Sequence, residues 1–227
     1  MSRGGVKGKN GGVSQYRRPP IDAPVFRDAD GQVIDYGNRW ENSPPTDTYS
    51  VDTHPERFAP LHTVADALVA HLAETYDARI TEGPDVAGDL LRPSRPFVRA
   101  VRIEPNDARC AALTLVYTDY PGIFLHAGLL HDFYYPMCGC DACDSTWEGE
   151  ADELERHVFA VVGGGYRESV TEGREPWIEF TLANPDGTSR GGRGVTDLPA
   201  DRVEAARPIL RALSDGWASW PRVAADS

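Results

Sequence analysis

Basic charge is in short supply here: 23 Lys and Arg stand against 35 Asp and Glu, a formal net charge of −12 over 227 residues. A nucleic-acid-binding surface neutralises phosphates with clustered Lys and Arg, so the balance argues against nucleic acid as a partner. What basic charge there is sits unevenly. Residues 1–21 carry Arg3, Lys7, Lys9, Arg17 and Arg18 and no acid, which leaves 18 basic and 35 acidic residues, or −17, on the remainder. Long apolar runs are missing too. None approaches the ~18 residues that a membrane helix needs, and the charged start Met1–Asn10 leads into no apolar segment of the signal-peptide kind. The expectation is a cytoplasmic protein without a membrane partner.

Catalytic signatures are equally scarce. There is no G-x-S-x-G elbow and no H-E-x-x-H. Gly163-Gly-Gly165 follows a helical pattern and lacks the Gly-Lys-Ser or G-x-G-x-x-G arrangement, so it is not a phosphate loop. Glu148 and Asp152 are four apart on one helical face, but a solvated acidic face near a helix start accounts for them without catalysis.

Cysteine is rare, four in all, yet three of the four fall within six residues, in His131-Asp-Phe-Tyr-Tyr-Pro-Met-Cys138-Gly-Cys140-Asp-Ala-Cys143-Asp144. In a reducing compartment such clustering favours a metal over a disulfide. Zn²⁺ takes four ligands from thiolate sulfur and imidazole nitrogen. The expected set is Cys138, Cys140, Cys143 and His131, with Cys110, His126 and His157 as alternatives for the fourth position. Two rival readings stand beside it. Cys140-Asp-Ala-Cys143 has the C-x-x-C redox spacing, but Asp141 and Asp144 would raise rather than lower a thiol pKa. The plainer reading is a tight turn of small residues.

The segments Tyr16-Arg-Arg-Pro-Pro-Ile-Asp-Ala-Pro-Val-Phe, Tyr36-Gly-Asn-Arg-Trp, Ser50-Val-Asp-Thr-His-Pro-Glu-Arg-Phe and Cys138-Gly-Cys-Asp-Ala-Cys-Asp together resemble an uncharacterised actinobacterial family known only as a domain of unknown function. The resemblance covers most of the chain and implies no activity or site residues.

Along the chain, residues 1–15 read as a disordered basic tail. Residues 16–58, punctuated by Pro and Asp-Gly, read as an extended arm packed on the domain, with a small hairpin about Asp30-Gly31. Residues 59–227 read as a single α+β domain. Thr53-His-Pro-Glu56 has capping-box spacing, and Leu61, Val64, Ala65, Leu68 and Leu72 predict a helix over 60–78, with His62 and His71 on opposite faces. Three strands follow at 97–104, 110–118 and 123–130, joined by short turns into an antiparallel meander. Ser145-Thr-Trp-Glu148 caps a second helix over 145–163. Trp177 to Ala183 and the segment after Asn184-Pro-Asp-Gly187 predict a hairpin running into the glycine- and arginine-rich segment 190–194, read as a flexible loop. A last helix starts near Pro199 with a kink at Pro208, and Trp217 and Trp220 anchor its end. The fold class is thus α+β: a mainly antiparallel sheet, as a three-stranded meander plus a hairpin, covered by about three helices.

The leading functional expectation is a non-catalytic interaction or regulatory module with a structural zinc in the Cys138–Cys143 loop and a protein partner. The alternatives are a metal-dependent hydrolase-type site built from His126, His131 and the cysteines, with water in the fourth position, and, third, a thiol redox protein. The number of protein ligands separates the first two: four close the site, whereas three beside a cleft leave it open.

Overall fold

Leu61, Val64, Ala65, Leu68 and Leu72 recur at helical spacing, and in the computed structural model they line the buried face of helix α1, Pro60–Thr75. The structure describes residues 15–92, 96–172, 176–195 and 198–224. The expected basic tail lies outside these residues except for Gln15. Pro60 occupies the first turn of α1, where its missing N–H costs nothing. The helix ends before the expected 78, because Tyr76 turns extended (φ −118°, ψ 149°) and Ala78–Glu82 forms strand β1. His62 and His71 do lie apart: the first bonds the Gly122 carbonyl at 3.1 Å, while the second packs its ring against Tyr16 and Phe159.

The meander is present and longer than expected. Strands β2 (Phe97–Pro105), β3 (Leu113–Thr118), β4 (Ile123–Ala127) and β5 (His131–Tyr135) follow β1 in a five-stranded antiparallel sheet ordered as in the chain. The expected strand 123–130 divides in two. Gly128 takes φ +67° and reverses the chain, so that His131 opens β5 opposite Ala127. A Cβ at Gly128 would come within 2.1 Å of the Glu168 carboxylate, so both the backbone conformation and the close approach require glycine. Because β5 returns along β4, its end at Tyr135, where the chain leaves for the cysteine loop, lies about 13 Å from His131, four residues at ~3.3 Å each.

Helix α2, Trp147–Val162, presents Ala151, Leu154, Val158 and Val161, all fully buried, at helical spacing. Its cap is Thr146, whose hydroxyl accepts from the Gly149 amide at 3.1 Å, and not Ser145 one residue earlier. Helices α1 and α2 share one core with one face of the sheet, including Val101, Ile103, Leu113, Leu115 and Leu125. On the other face Ala100, Val116 and Phe124 meet Val86, Ala87 and Leu90 from the short 3-10 segment Pro84–Asp89 and its end.

The second sheet holds β6 (Tyr166–Val170), β7 (Trp177–Ala183) and β8 (Ser189–Val195), antiparallel in chain order. The expected hairpin is β7 and β8, with β6 added before it. The segment read as a flexible loop is itself strand: at Gly192 a Cβ would fall 2.6 Å from the Phe180 ring, so the glycine makes room for that aromatic on the sheet. Helix α3, Ala200–Ala212, buries Val203 and Ala206 and contains Pro208. Trp217 and Trp220 are buried, donating to Glu168 (2.9 Å) and to the Ala111 carbonyl (3.0 Å). The class is α+β with antiparallel sheets, and among the described residues no helix is long and apolar enough to cross a membrane.

His157 of α2 is buried, with Nδ1 bonded to the Tyr135 hydroxyl. Burial first, and the Arg190 charge second, lower its pKa to about 4. The unfolded value is ~6.5, so between these two values the unfolded chain binds a proton that the folded chain refuses. The stability this group contributes is complete above about pH 6.5 and is lost as pH falls toward 4. We expect His157 to account for ~2 kcal/mol of stability lost between pH 7 and pH 5. Urea unfolding at the two pH values should show that part of the loss disappear in His157→Gln; an identical loss in both proteins would contradict the assignment.

Candidate metal centre

The loop between β5 and α2 turns on itself through the Cys143 amide, which donates to the Cys140 carbonyl at 3.1 Å. This turn brings the three sulfurs together. Cys138 Sγ lies 3.3 Å from Cys140 Sγ, Cys140 Sγ lies 3.5 Å from Cys143 Sγ, and all three fall within 4.8 Å of one another. Sulfurs bound to one tetrahedral Zn²⁺ at ~2.3 Å stand ~3.8 Å apart, so one ion fits among them after small shifts. Gly139 is required by packing: a Cβ there would lie 1.8 Å from the Tyr120 hydroxyl oxygen and 3.3 Å from the Phe58 ring.

The loop is held from outside by the arm. Asp141 and Ala142 donate their amides to the Val51 and Thr48 carbonyls at 2.7 and 3.1 Å. Thr53, expected to cap a helix, instead gives its hydroxyl to the Asp141 carboxylate. Arg57, whose side chain is only 3% exposed, donates to the carbonyls of His54 (3.0 Å), Gly139 (2.7 Å) and Ser145 (3.4 Å). Arg39 binds the Asp144 carboxylate through Nε at 2.5 Å and through its amide at 2.9 Å, and also reaches the Asp141 carbonyl. Both guanidinium groups lie against the Tyr36 ring, at 4.5 and 4.4 Å.

These cations change the electrostatics expected of the loop. Asp141 and Asp144 are each within ion-pair distance of Arg39, and Asp141 also of Arg57, so their effect on the thiols is offset. Burial disfavours the Cys140 thiolate, but hydrogen bonds from the Cys138 and Cys143 thiols and the Cys143 and Ser50 amides outweigh it and bring the pKa down to about 7. Cys143 is pushed up to about 12, first by its hydrogen bond with Cys138 and then by burial. The protein environment thus favours one thiolate shared by neighbouring thiols; a metal that needs all three deprotonated releases the remaining protons on binding.

His131 does not join the sulfurs. Its Nδ1 bonds Glu168 at 3.0 Å and its ring packs on Phe180, at the far end of β5. The other candidates for the fourth position are engaged elsewhere as well: Cys110 with the Ser219 carbonyl, His126 with Asp132, His157 with Tyr135. What Cys138 and Cys140 do border is a cleft of about 370 Å³, walled also by Gly139, Asp52, Thr118 and Tyr134 among others.

A family described as a family of unknown function, DUF6226, matches residues 22–224. The chain belongs to this family. The span of DUF6226 takes in almost all of the arm, both sheets and the sulfur loop together. No curated protein and no solved structure matches the chain.

Neither Arg39 nor Arg57 was singled out by sequence reasoning. Their Tyr-Gly-Asn-Arg-Trp and Pro-Glu-Arg-Phe contexts signal a packed arm but do not say onto what. Since Arg57 satisfies three carbonyls from the loop and the arm, Arg57→Ala should cost ~3 kcal/mol of stability. Arg57→Lys should recover little, because one ammonium cannot span three divergent acceptors. Denaturant unfolding measures both; a loss below ~1 kcal/mol for the alanine variant would mean that the arm does not depend on this residue.

Proposed function

We propose that this protein is a metal-binding interaction or regulatory module in which Cys138, Cys140 and Cys143 hold one Zn²⁺. The observation that carries the reading is the convergence of three sulfurs within 4.8 Å on a loop clamped by buried arginine. An ion there ties together the end of β5, the start of α2 and, through Arg39, Thr53 and Arg57, the arm. With His131 bonded to Glu168, the fourth ligand comes from solvent or from a partner protein. Thiolate ligands suit Zn²⁺ or Cu(I) and not the hard cations. Thiol clusters of this kind belong to a reducing compartment such as the cytoplasm.

One observation favours the enzyme reading. Cys138 and Cys140 line a cleft that also contains Asp52, so an open fourth position would face space for water and a small substrate. His126 and His131, expected to serve such a site, lie outside that cleft.

Protein purified without chelator is expected to carry one zinc per chain by elemental analysis, and the variant with all three cysteines changed to Ser none. Cys140→Ser alone should weaken zinc binding by at least about 100-fold, more than the loss of a residue that merely orients a ligand. Equal metal content in the wild type and the triple variant would reject the site. Co²⁺ substitution tests the enzyme reading: it requires visible bands that shift on adding imidazole, the sign of an exchangeable fourth position, and bands that stay fixed mean that the position is closed and reject it.

A further inference from the structure

The antiparallel register sets one polar row across the face of the five-stranded sheet that α1 and α2 do not cover. Arg102, Thr114, His126 and Asp132 are successive cross-strand partners on β2, β3, β4 and β5. Asp89 reaches this row from the 3-10 segment, accepting from Arg102 Nε at 2.6 Å and from the Thr114 hydroxyl at 2.6 Å. At the other end of the row, His126 Nδ1 bonds the Asp132 carboxylate at 2.8 Å, with side-chain exposures of 8% and 3%. Asp132 also accepts the Leu91 and Arg92 amides at 2.8 and 3.3 Å. A carboxylate that receives those amides accepts the imidazole Nδ1–H, and in the neutral ring Nε2 is then the acceptor. Among the described residues Nε2 has no hydrogen-bond partner.

His126 lines a cleft of about 290 Å³ between this face and α3. The space exists because Ala112 and Gly128 on the sheet side and Ala205 and Ala206 on the helix side are small. Arg102 and Arg202 line the same cleft together with Asp89 and Glu104, whose carboxylates are engaged by Arg102 and Arg79. Arg202 caps the 3-10 segment through the Gly88 and Asp89 carbonyls, at 2.6 and 2.9 Å. Arg102 is engaged by Asp89 through two of its nitrogens. A guanidinium has five N–H donors, so each arginine keeps donors beyond these bonds. Satisfaction of buried polar groups explains the His126–Asp132 pair through Nδ1 alone. The second ring nitrogen lies beside a cleft that combines small residues with a few polar groups, the usual make-up of a small-molecule site.

We propose that this cleft binds a small hydroxylated oxyanion, with its carboxylate or phosphate on Arg102 and Arg202 and its hydroxyl donating to His126 Nε2. Asp132 is the positioning residue that fixes the tautomer. The site shares no residue with the sulfur loop and does not rest on the metal reading.

The test is an NMR titration of the full chain, following the His126 side-chain nitrogens, with L-lactate and glycerol 3-phosphate as the two oxyanion probes and acetate and glycerol as partial ones. We expect a saturable shift with at least one full probe and a weaker response to the partial ones. His126→Gln and Arg202→Gln should each weaken that binding about tenfold or more, the effect of one charge-assisted hydrogen bond. Arg202→Gln, on the outer helix, keeps the test decisive should His126→Gln fail to fold. The triple cysteine variant should bind as the wild type does, provided that it folds. No saturable shift with either full probe, or unchanged affinity in the Arg202 variant, would overturn the proposal.

Discussion

The carboxylate of Glu168 is completely buried and takes four donors: the Leu129 and Leu130 amides, His131 Nδ1 and Trp217 Nε1. A carboxylate withdrawn from water is costly unless its lone pairs are satisfied. These four donors come from the β4–β5 turn, the first residue of β5 and the segment after α3, while Glu168 itself lies on β6. One side chain thus joins the five-stranded sheet, the three-stranded sheet and the C-terminal tryptophan. It also leaves no room for a side chain at residue 128, and the glycine there lets the chain reverse. The direction of β5, and with it the position of the cysteine loop, follows from that reversal.

The hairpin β4–β5 therefore has two chemically different ends. Its turn is tied down by Glu168, and its open end carries the sulfurs, the arm and a cleft. Between them, on the face away from α1 and α2, lies the row that ends in His126 and Asp132. Histidines and cysteines that sequence distance groups together are sorted by the hairpin into separate environments: one imidazole beside Glu168, one beside Asp132, and three thiols with neither.

Much of the scaffold was legible because apolar spacing reports it directly. The stripes of α1 and α2, the alternation in β2 to β4 and the glycine run after Val162 each carry a local signal. The elements that were missed carry none. In β1 the sequence Ala-Arg-Ile-Thr-Glu is largely exposed, so no alternating apolar face marks it, and His131-Asp-Phe-Tyr-Tyr mixes polar and aromatic residues on both faces of β5. Glu168 sits in β6 where a hydrophobic residue would have marked a strand. At the site, the clustering of Cys138, Cys140 and Cys143 could be read from their spacing alone. The fourth position could not, since it turned on whether Gly128 continued a strand or ended one. Arg39 and Arg57 were illegible for a different reason: their partners on the loop lie 82 to 105 residues away, and nothing local to either arginine encodes them.

That separation also orders events in time. Arg39 meets Asp144 across 105 residues and Tyr16 meets Glu155 across 139, so the arm cannot dock in full until β5, the loop and α2 have been made and packed. A chain synthesised from its N-terminus releases this arm before those elements and completes its seating after them. Until then its Pro-rich, Tyr- and Trp-bearing stretch is without its partners, and the sulfur loop is without the cover that the arm provides.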